Sequence, residues 1–334
     1  MKLLYIGNKL SKHNRGQTVM ESLGPDLEQE GFTVRYASDK KNLLWRFLDI
    51  VGAVLRHARN SDYVLIDTYS TWSFYYVVVT ATLCRLFQVP YIPILHGGHL
   101  PQRLQRWPRL SRWVFAHAYA NVAPSGYLYA AFKPLFSQTM AIPNAIPIQE
   151  YTYQPRDTRS LHLLWVRSLV PLYHPEMALQ VCAALQHHQP CTLTIIGPDP
   201  QQRQPELEAL AKELGVSVTF TGKLTKTEWH QRATSSTIFL NTTRADNTPV
   251  SVIEAMALGM PVVSTDVGGL PYLISHDETG LLVPSEDVHA MTEAVLHLQQ
   301  HPDKAQKMAE KARAHVEKFD WSVVKEAWIK LLKS

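Results

Sequence analysis

The sequence predicts an α/β protein with two doubly wound parallel sheets, and three observations point there. Short β-branched and apolar runs alternate with longer amphipathic stretches. The alternation starts afresh after a proline-rich interruption at residues 142–155, IPNAIPIQEYTYQP, which has no helical period. A length of 334 residues suffices for two domains that each bury a core.

In the first series the strand candidates are Lys2–Ile6, Thr33–Ala37, Tyr63–Ile66, Tyr91–Leu95 and Asn121–Ala123. Helical patterns lie between them, including Gln17–Glu30, stopped by Gly31, and Lys41–Arg59. The second series places strands at Leu161–Val166, Thr192–Ile196, Val218–Thr221, Ile238–Leu240, Val262–Thr265 and Leu281–Val283. The expected domains are residues 1–150 and 151–319. Ligands of such sheets sit beyond the carboxyl ends of the strands, so the chemistry is sought there. The tail, Asp320–Leu332, sets Trp321, Val324, Trp328 and Leu331 on one stripe that must dock on something.

Composition excludes several classes. With 46% apolar and 19% charged residues and no low-complexity tract, the chain is an ordinary globular protein. Cys84, Cys182 and Cys191 lie in apolar stretches without C-x-x-C spacing, which predicts buried, reduced thiols in a cytoplasmic protein. The opening MKLLYIG is a first strand, not a signal peptide. Trp72–Cys84 is too short for a membrane span and is expected as a buried helix. Charge is uneven: residues 1–150 carry 16 Lys and Arg against 9 Asp and Glu, and no acid falls between Asp67 and Glu150. The first half therefore meets something anionic or has a solvated basic face.

The most informative stretch is Asn241–Gly269, NTTRADNTPVSVIEAMALGMPVVSTDVGG. A strand runs into a polar loop and then a helix expected to begin near Pro249, a residue suited to a first helical turn because its missing N–H would be unpaired there anyway. The free amides of that turn and the positive helix end form an anion site fit for a diphosphate. Glu254, about one turn in, can reach ribose hydroxyls. Asp246, eight residues earlier, points past the phosphates.

This segment resembles the donor-site motif of glycosyltransferase family 4, retaining enzymes of the GT-B fold. Glu254 matches the second acid of the family's Glu, seven residues, Glu pattern. The run Ala257–Val263 and the turn Thr265–Pro271 follow it, and Thr279–Pro284 and Asp287 match in order and spacing. The resemblance covers residues 160–330 closely and the first domain loosely. It implies two Rossmann-like domains facing across a cleft, with the last helix, about 320–332, packing back on the first. Glu254 would hold the ribose, the backbone around Thr248, Pro249, Val250 and Ser251 the donor phosphate, and Asp246 the donor-sugar hydroxyls. Asp246 departs from the family's glutamate by one methylene, so the sugar must sit closer or a water must bridge.

The resemblance also calls for an arginine and a lysine after the first strand of the second domain. Arg167 fills the first role. The lysine is absent, and His174, a base only partly charged near neutral pH, stands near its place. Gly197 and Gly222-Lys223 end strands on the side where a nucleotide approaches. In the first domain His96 matches the histidine facing the donor sugar. Arg15-Gly16 matches a glycine-containing loop near phosphate and acceptor, and Asp67 positions an acceptor or forms a turn.

The sequence has no D-x-D, no His/Cys metal spacing and no G-x-S-x-G elbow, so no metal or cofactor is expected. Leaving-group charge then falls to the helix start and Arg167. Residues 99–115, HLPQRLQRWPRLSRWVF, interleave Arg103, Arg106, Arg109 and Arg112 with Trp107 and Trp113. They suit an anionic membrane surface or lipid-diphosphate acceptor, against the plainer reading of a solvated helix broken at Pro108. The implied function is transfer of a sugar from a nucleotide sugar, UDP- ahead of GDP-linked, to a glycan or lipid-linked acceptor in polysaccharide assembly, with no nucleic-acid partner. The alternatives are a non-catalytic nucleotide-sugar-binding partner subunit, or another GT-B enzyme such as an epimerase or a phosphorylase.

Overall fold

The computed structural model describes residues 1–8, 18–40 and 42–333. In chain order the elements are β1 (Lys2–Ile6), α1 (Val19–Gln29), β2 (Thr33–Ala37), α2 (Leu43–His57), β3 (Tyr63–Thr68), α3 (Phe74–Leu86), β4 (Tyr91–Leu95), α4 (Leu100–Arg106), α5 (Pro108–Phe115), β5 (Asn121–Ala123), α6 (Gly126–Phe132) and β6 (Thr139–Ala141). There follow β7 (Leu161–Val166), α7 (Pro175–Gln186), β8 (Cys191–Ile196), α8 (Gln204–Glu213), β9 (Ser217–Phe220), α9 (Lys226–Ala233), β10 (Ile238–Asn241), α10 (Val250–Ala257), β11 (Val262–Thr265), α11 (Leu270–Leu273), β12 (Leu281–Val283), α12 (Val288–Gln300), α13 (Pro302–Val316) and α14 (Trp321–Lys333). They divide into two compact units, Met1–Ile146 with Trp321–Ser334, and Pro147–Asp320.

The first unit holds a parallel sheet in the order β2-β1-β3-β4-β5-β6. Its central strands β3 and β4 are buried on both faces, which is why they run as unbroken apolar stretches such as YVLI and YIPIL. Right-handed crossovers put α1 on one face and the helices α2 to α6 on the other. The core under α2 to α6 joins Ile50, Val54, Phe74, Val77, Leu100, Phe115 and Leu128. On the opposite face Leu23 and Leu27 of α1 share a core with Val324, Trp328, Leu331 and Leu332 of α14, the stripe seen in the tail. β6, an edge strand of three residues, was not apparent in the sequence because TMA carries too little pattern.

Trp72–Cys84 does not form a buried helix throughout. Helix α3 starts at Phe74 and buries one face, Phe74, Val77, Ala81 and Cys84, while Trp72 is 78% exposed in the preceding turn. All three cysteines are buried thiols, and burial pushes the Cys84 thiol up to about 12.

The second unit holds a parallel sheet in the order β12-β11-β10-β7-β8-β9. Its boundary falls at Ile146, earlier than the expected 150, because Ile148 and Tyr151 are buried in this unit. Arg313 on α13 fixes that entry, donating to the carbonyls of Tyr151 and Ala257 at 2.6 Å each. The order reverses where β7 pairs with both β10 and β8. The crevice beyond the carboxyl ends of β7 and β10 is the switch point at which such sheets take ligands. In the first sheet the equivalent place is between β1 and β3.

Candidate functional site

The loops leaving β7 and β10 bring Arg167 and Asp246 together at the second sheet's switch point. Their side chains form a largely buried ion pair, Arg167 Nη2 to Asp246 Oδ2. The guanidinium also lies over the Tyr173 ring, 4.3 Å from its centroid. Burial lowers the Arg167 pKa from its ordinary value, countered by the neighbouring Tyr173.

The glycines nearby act by close approach. Gly268 and Gly269, from the T-x-x-G-G turn, lie so tightly on the β10–α10 loop that a Cβ on either would overlap the carbonyl of Asp246 or Asn247. The Gly269 amide donates to the Asp246 carbonyl at 2.9 Å, so this turn fixes the loop that carries the acid. Gly197 likewise leaves no room for a Cβ against the Arg167 carbonyl. The Gly197 amide donates to the Gly222 carbonyl at 3.0 Å, which joins the ends of β8 and β9.

Pro249 is the N-cap of α10 and not its first helical residue. Its ψ of 115° is extended, so its carbonyl, rather than its ring, begins the helix by accepting from Val252 at 3.1 Å. The amides of Val250 and Ser251 precede that first bond, and Thr248 lies half-buried in the loop before it. His174 takes left-handed backbone angles, φ 50° and ψ 58°, immediately before α7. Thr242 Oγ1 lies 2.8 Å from the carbonyls of both Tyr173 and His174 and holds that turn. Burial, with Arg244 next, pulls the His174 pKa below its ordinary value. Arg167 Nε, His174 Nδ1 and Ser251 Oγ are buried with no hydrogen-bond partner among the described residues. Three unmet polar atoms at one switch point fit a ligand with several acceptor oxygens.

Glu254 is buried inside α10 rather than set on a solvated face. Its Oε1 accepts from the Tyr151 hydroxyl at 2.5 Å and pairs with Lys226 Nζ at 3.1 Å. Lys226 also reaches the Tyr151 oxygen at 3.2 Å. Burial, then the Glu254 charge, raises the Tyr151 pKa far above its ordinary value, so it stays a donor. Neither Tyr151 nor Lys226 was selected from the sequence. Tyr151 lies in the linker 103 residues from Glu254, and Lys226 follows Lys223, which stands exposed past Gly222. The cue available was the Thr225–Glu228 capping box, which starts a helix at Lys226 and aims its first turn.

In the first unit Asp67 and His96 end neighbouring strands. His96 Nε2 lies 2.9 Å from Asp67 Oδ1, which also accepts from Tyr5 Oη at 3.0 Å. Both side chains are buried. Asp67 is thus neither a simple turn residue nor a free acid: it orients the His96 ring, and a hydrogen on Nε2 leaves the Nδ1 lone pair available. Arg15 and Gly16 fall outside the described residues.

Residues 99–115 form two helices, broken at Pro108, which opens α5. Arg103 is not a free surface cation. It stacks on Phe74 at 3.9 Å and donates to the Ser70 carbonyl at 3.2 Å, because α4 lies against the start of α3. Arg106 is exposed. Among the described residues no helix is long and apolar enough to cross a membrane.

Residues 154–315 match the family model described as "Glycosyl transferases group 1". Exopolysaccharide phosphotransferase SCO2592 of Streptomyces coelicolor is 34% identical over 57% of this chain and 20% of its own length. A D-inositol 3-phosphate glycosyltransferase of Gordonia bronchialis is 27% identical over 52% of this chain and 40% of its own. The matched stretch thus spans less than half of either relative. The crystal structure of Anabaena Alr3699/HepE in complex with UDP and glucose superposes with a TM-score of 0.77 over 100% of this chain and 99% of that one, at 18% identity. Residues 154–315, just under half of the chain, thus resemble the glycosyl transferases group 1 family, and the whole chain takes the GT-B fold.

Proposed function

We propose that this protein transfers a sugar from a nucleoside-diphosphate sugar, UDP-linked ahead of GDP-linked, to a glycan or lipid-linked acceptor. The observation that carries the reading is the set of unmet polar atoms at the switch point: Arg167 Nε, Ser251 Oγ and His174 Nδ1, which donates in the Nδ1-protonated tautomer, beside the free amides opening α10. A diphosphate offers each of them an acceptor oxygen. Glu254, its Oε1 held by Tyr151 and Lys226, keeps Oε2 for the ribose. Asp246 reads the donor sugar, and the diphosphate competes with it for Arg167. Binding then frees a carboxylate for sugar hydroxyls as the cation turns to phosphate. His96, oriented by Asp67, is assigned to the transferred sugar, and Gly197, Gly222 and Lys223 to the nucleotide rim.

Transfer proceeds with retention by front-face attack, helped by the departing phosphate, whose growing charge is met by Arg167 and the helix amides without a metal. Thermal-shift titration against UDP, GDP, ADP and their sugars tests the donor class, since a ligand that binds only the native state raises its stability with affinity. UDP and a UDP-sugar should stabilise the chain, and Arg167→Met should abolish the shift. Indifference to every nucleotide would overturn the proposal. A sugar trapped covalently on Asp246 would overturn front-face attack alone. Nucleotide binding without turnover on any donor and acceptor pair would favour a binding subunit.

A further inference from the structure

The outer surface of the first unit is apolar where a helix start should be polar. In α2 the inward position at residue 46 is an arginine, its Nε donating to the Lys40 carbonyl at 2.8 Å, while Leu44 (66%) and Trp45 (64%) are exposed to solvent beside Leu48. Amphipathicity is therefore inverted over the first turns of this helix. The patch continues onto α3. Tyr76 Oη donates to the Leu43 carbonyl at 3.1 Å, and exposed Trp72 and Tyr75 stack 5.7 Å apart at the start of that helix. Arg103, clamped over Phe74, ties α3 to α4, and exposed Trp107 and Arg106 follow within one turn. Monomeric proteins rarely expose so many large apolar groups in one place without using them.

The charge beside the patch indicates what covers it. Arg106, Arg109 and Arg112 are all exposed, and no acid occurs in the sequence between Asp67 and Glu150. Tryptophans and leucines flanked by exposed arginines match the boundary of an anionic bilayer, where indole rings sit at headgroup depth and guanidinium groups meet phosphates. In a parallel sheet with right-handed crossovers, α2 and α3 begin at the carboxyl edge of the strands, the edge that carries Asp67 and His96.

We propose that the exposed starts of α2 and α3, with the α4–α5 elbow, form a docking surface for an anionic lipid bilayer. It deepens the lipid-linked acceptor of the proposed function, on which it rests for its purpose, by delivering that acceptor to the Asp67–His96 edge. The test is flotation of the full chain with phosphatidylcholine vesicles, with and without phosphatidylglycerol, at low and high salt. Mass measurement in solution and UDP affinity run alongside. Binding should require phosphatidylglycerol and weaken with salt. Replacing Arg106, Arg109 and Arg112 together with glutamine should lower it about a hundredfold or more, at roughly tenfold or less per cation. The triple variant Leu44→Ser, Trp45→Ser, Leu48→Ser, and Trp107→Ser alone, should each weaken it with melting temperature and UDP affinity unchanged. Absence of vesicle binding, or binding undiminished in these variants, would overturn the proposal. A stable dimer that the triple variant dissociates, with no flotation, would assign the patch to a second copy instead. Loss of UDP affinity in the unmodified chain would count against the proposed function and leave the vesicle result standing.

Discussion

Glu254 offers the sharpest separation between a structural acid and a ribose ligand. One carboxylate oxygen, Oε1, is committed to Tyr151 at 2.5 Å and Lys226 at 3.1 Å, so a bound nucleotide meets the other. A hydrogen bond to a charged group is worth about 1.5–3 kcal/mol. Removing the ribose hydroxyls from UDP should therefore weaken its binding to the unmodified protein by roughly 10- to 150-fold. Glu254→Ala should bind UDP more weakly by a similar factor and should then scarcely distinguish UDP from its 2′,3′-dideoxy analogue. Calorimetric titration of both ligands into both proteins closes the cycle, which isolates the pairwise contribution from general damage to the helix. If the analogue loses as much affinity on Glu254→Ala as on the unmodified chain, Glu254 does not read the ribose and its burial serves the fold alone.

Tyr151→Phe removes one donor from a buried carboxylate while Lys226 remains; a cost of about 1.5–3 kcal/mol should lower the melting temperature by roughly 3–12 °C in a unit of this size. Gly269→Ala forces a Cβ into the Asn247 carbonyl and should displace the loop carrying Asp246; turnover should fall more than UDP affinity, and unchanged steady-state kinetics would contradict this. The His174 and His230 imidazoles are held below their ordinary pKa chiefly by burial, so the unfolded chain takes up more protons as pH falls below about 6.5. Their contribution to stability is present above that pH and is lost on acidification. His174→Asn, which tolerates the left-handed backbone, should flatten the decline of melting temperature with pH, and an unaltered profile would refute it. Turnover should persist in excess chelator, and its loss, restored by a divalent cation, would show that a metal is required.

Much of this arrangement was readable from residue order, because a parallel sheet buried on both faces writes itself as apolar runs and a helix start with free amides writes itself as a short polar loop before an apolar helix. Arg167 was placed directly after one strand and Asp246 on the loop that follows another, yet their pairing depends on the order β10-β7-β8. Asp67 and His96 lie 29 residues apart and meet only because β3 and β4 are neighbours. Tyr151 sits in a linker without period, and nothing local marks it as a partner of Glu254. Arg103 illustrates the opposite failure. An arginine in a basic, aromatic-rich stretch suggested a solvated cation at a ligand surface, whereas the structure stacks it on Phe74 and has it donate to the Ser70 carbonyl. The α2 surface was missed because LLWRFLDIVGAVL has helical apolar content whichever face is buried, and only packing shows that Arg46 points inward.

The account stands on a diphosphate seated at the start of α10. A crystal structure with UDP or a UDP-sugar should show phosphate oxygens within hydrogen-bond distance of the Val250 and Ser251 amides, Ser251 Oγ and the Arg167 guanidinium, with a ribose hydroxyl on Glu254 Oε2. Nucleotide bound away from β7 and β10, with Arg167 still closed on Asp246, would contradict it.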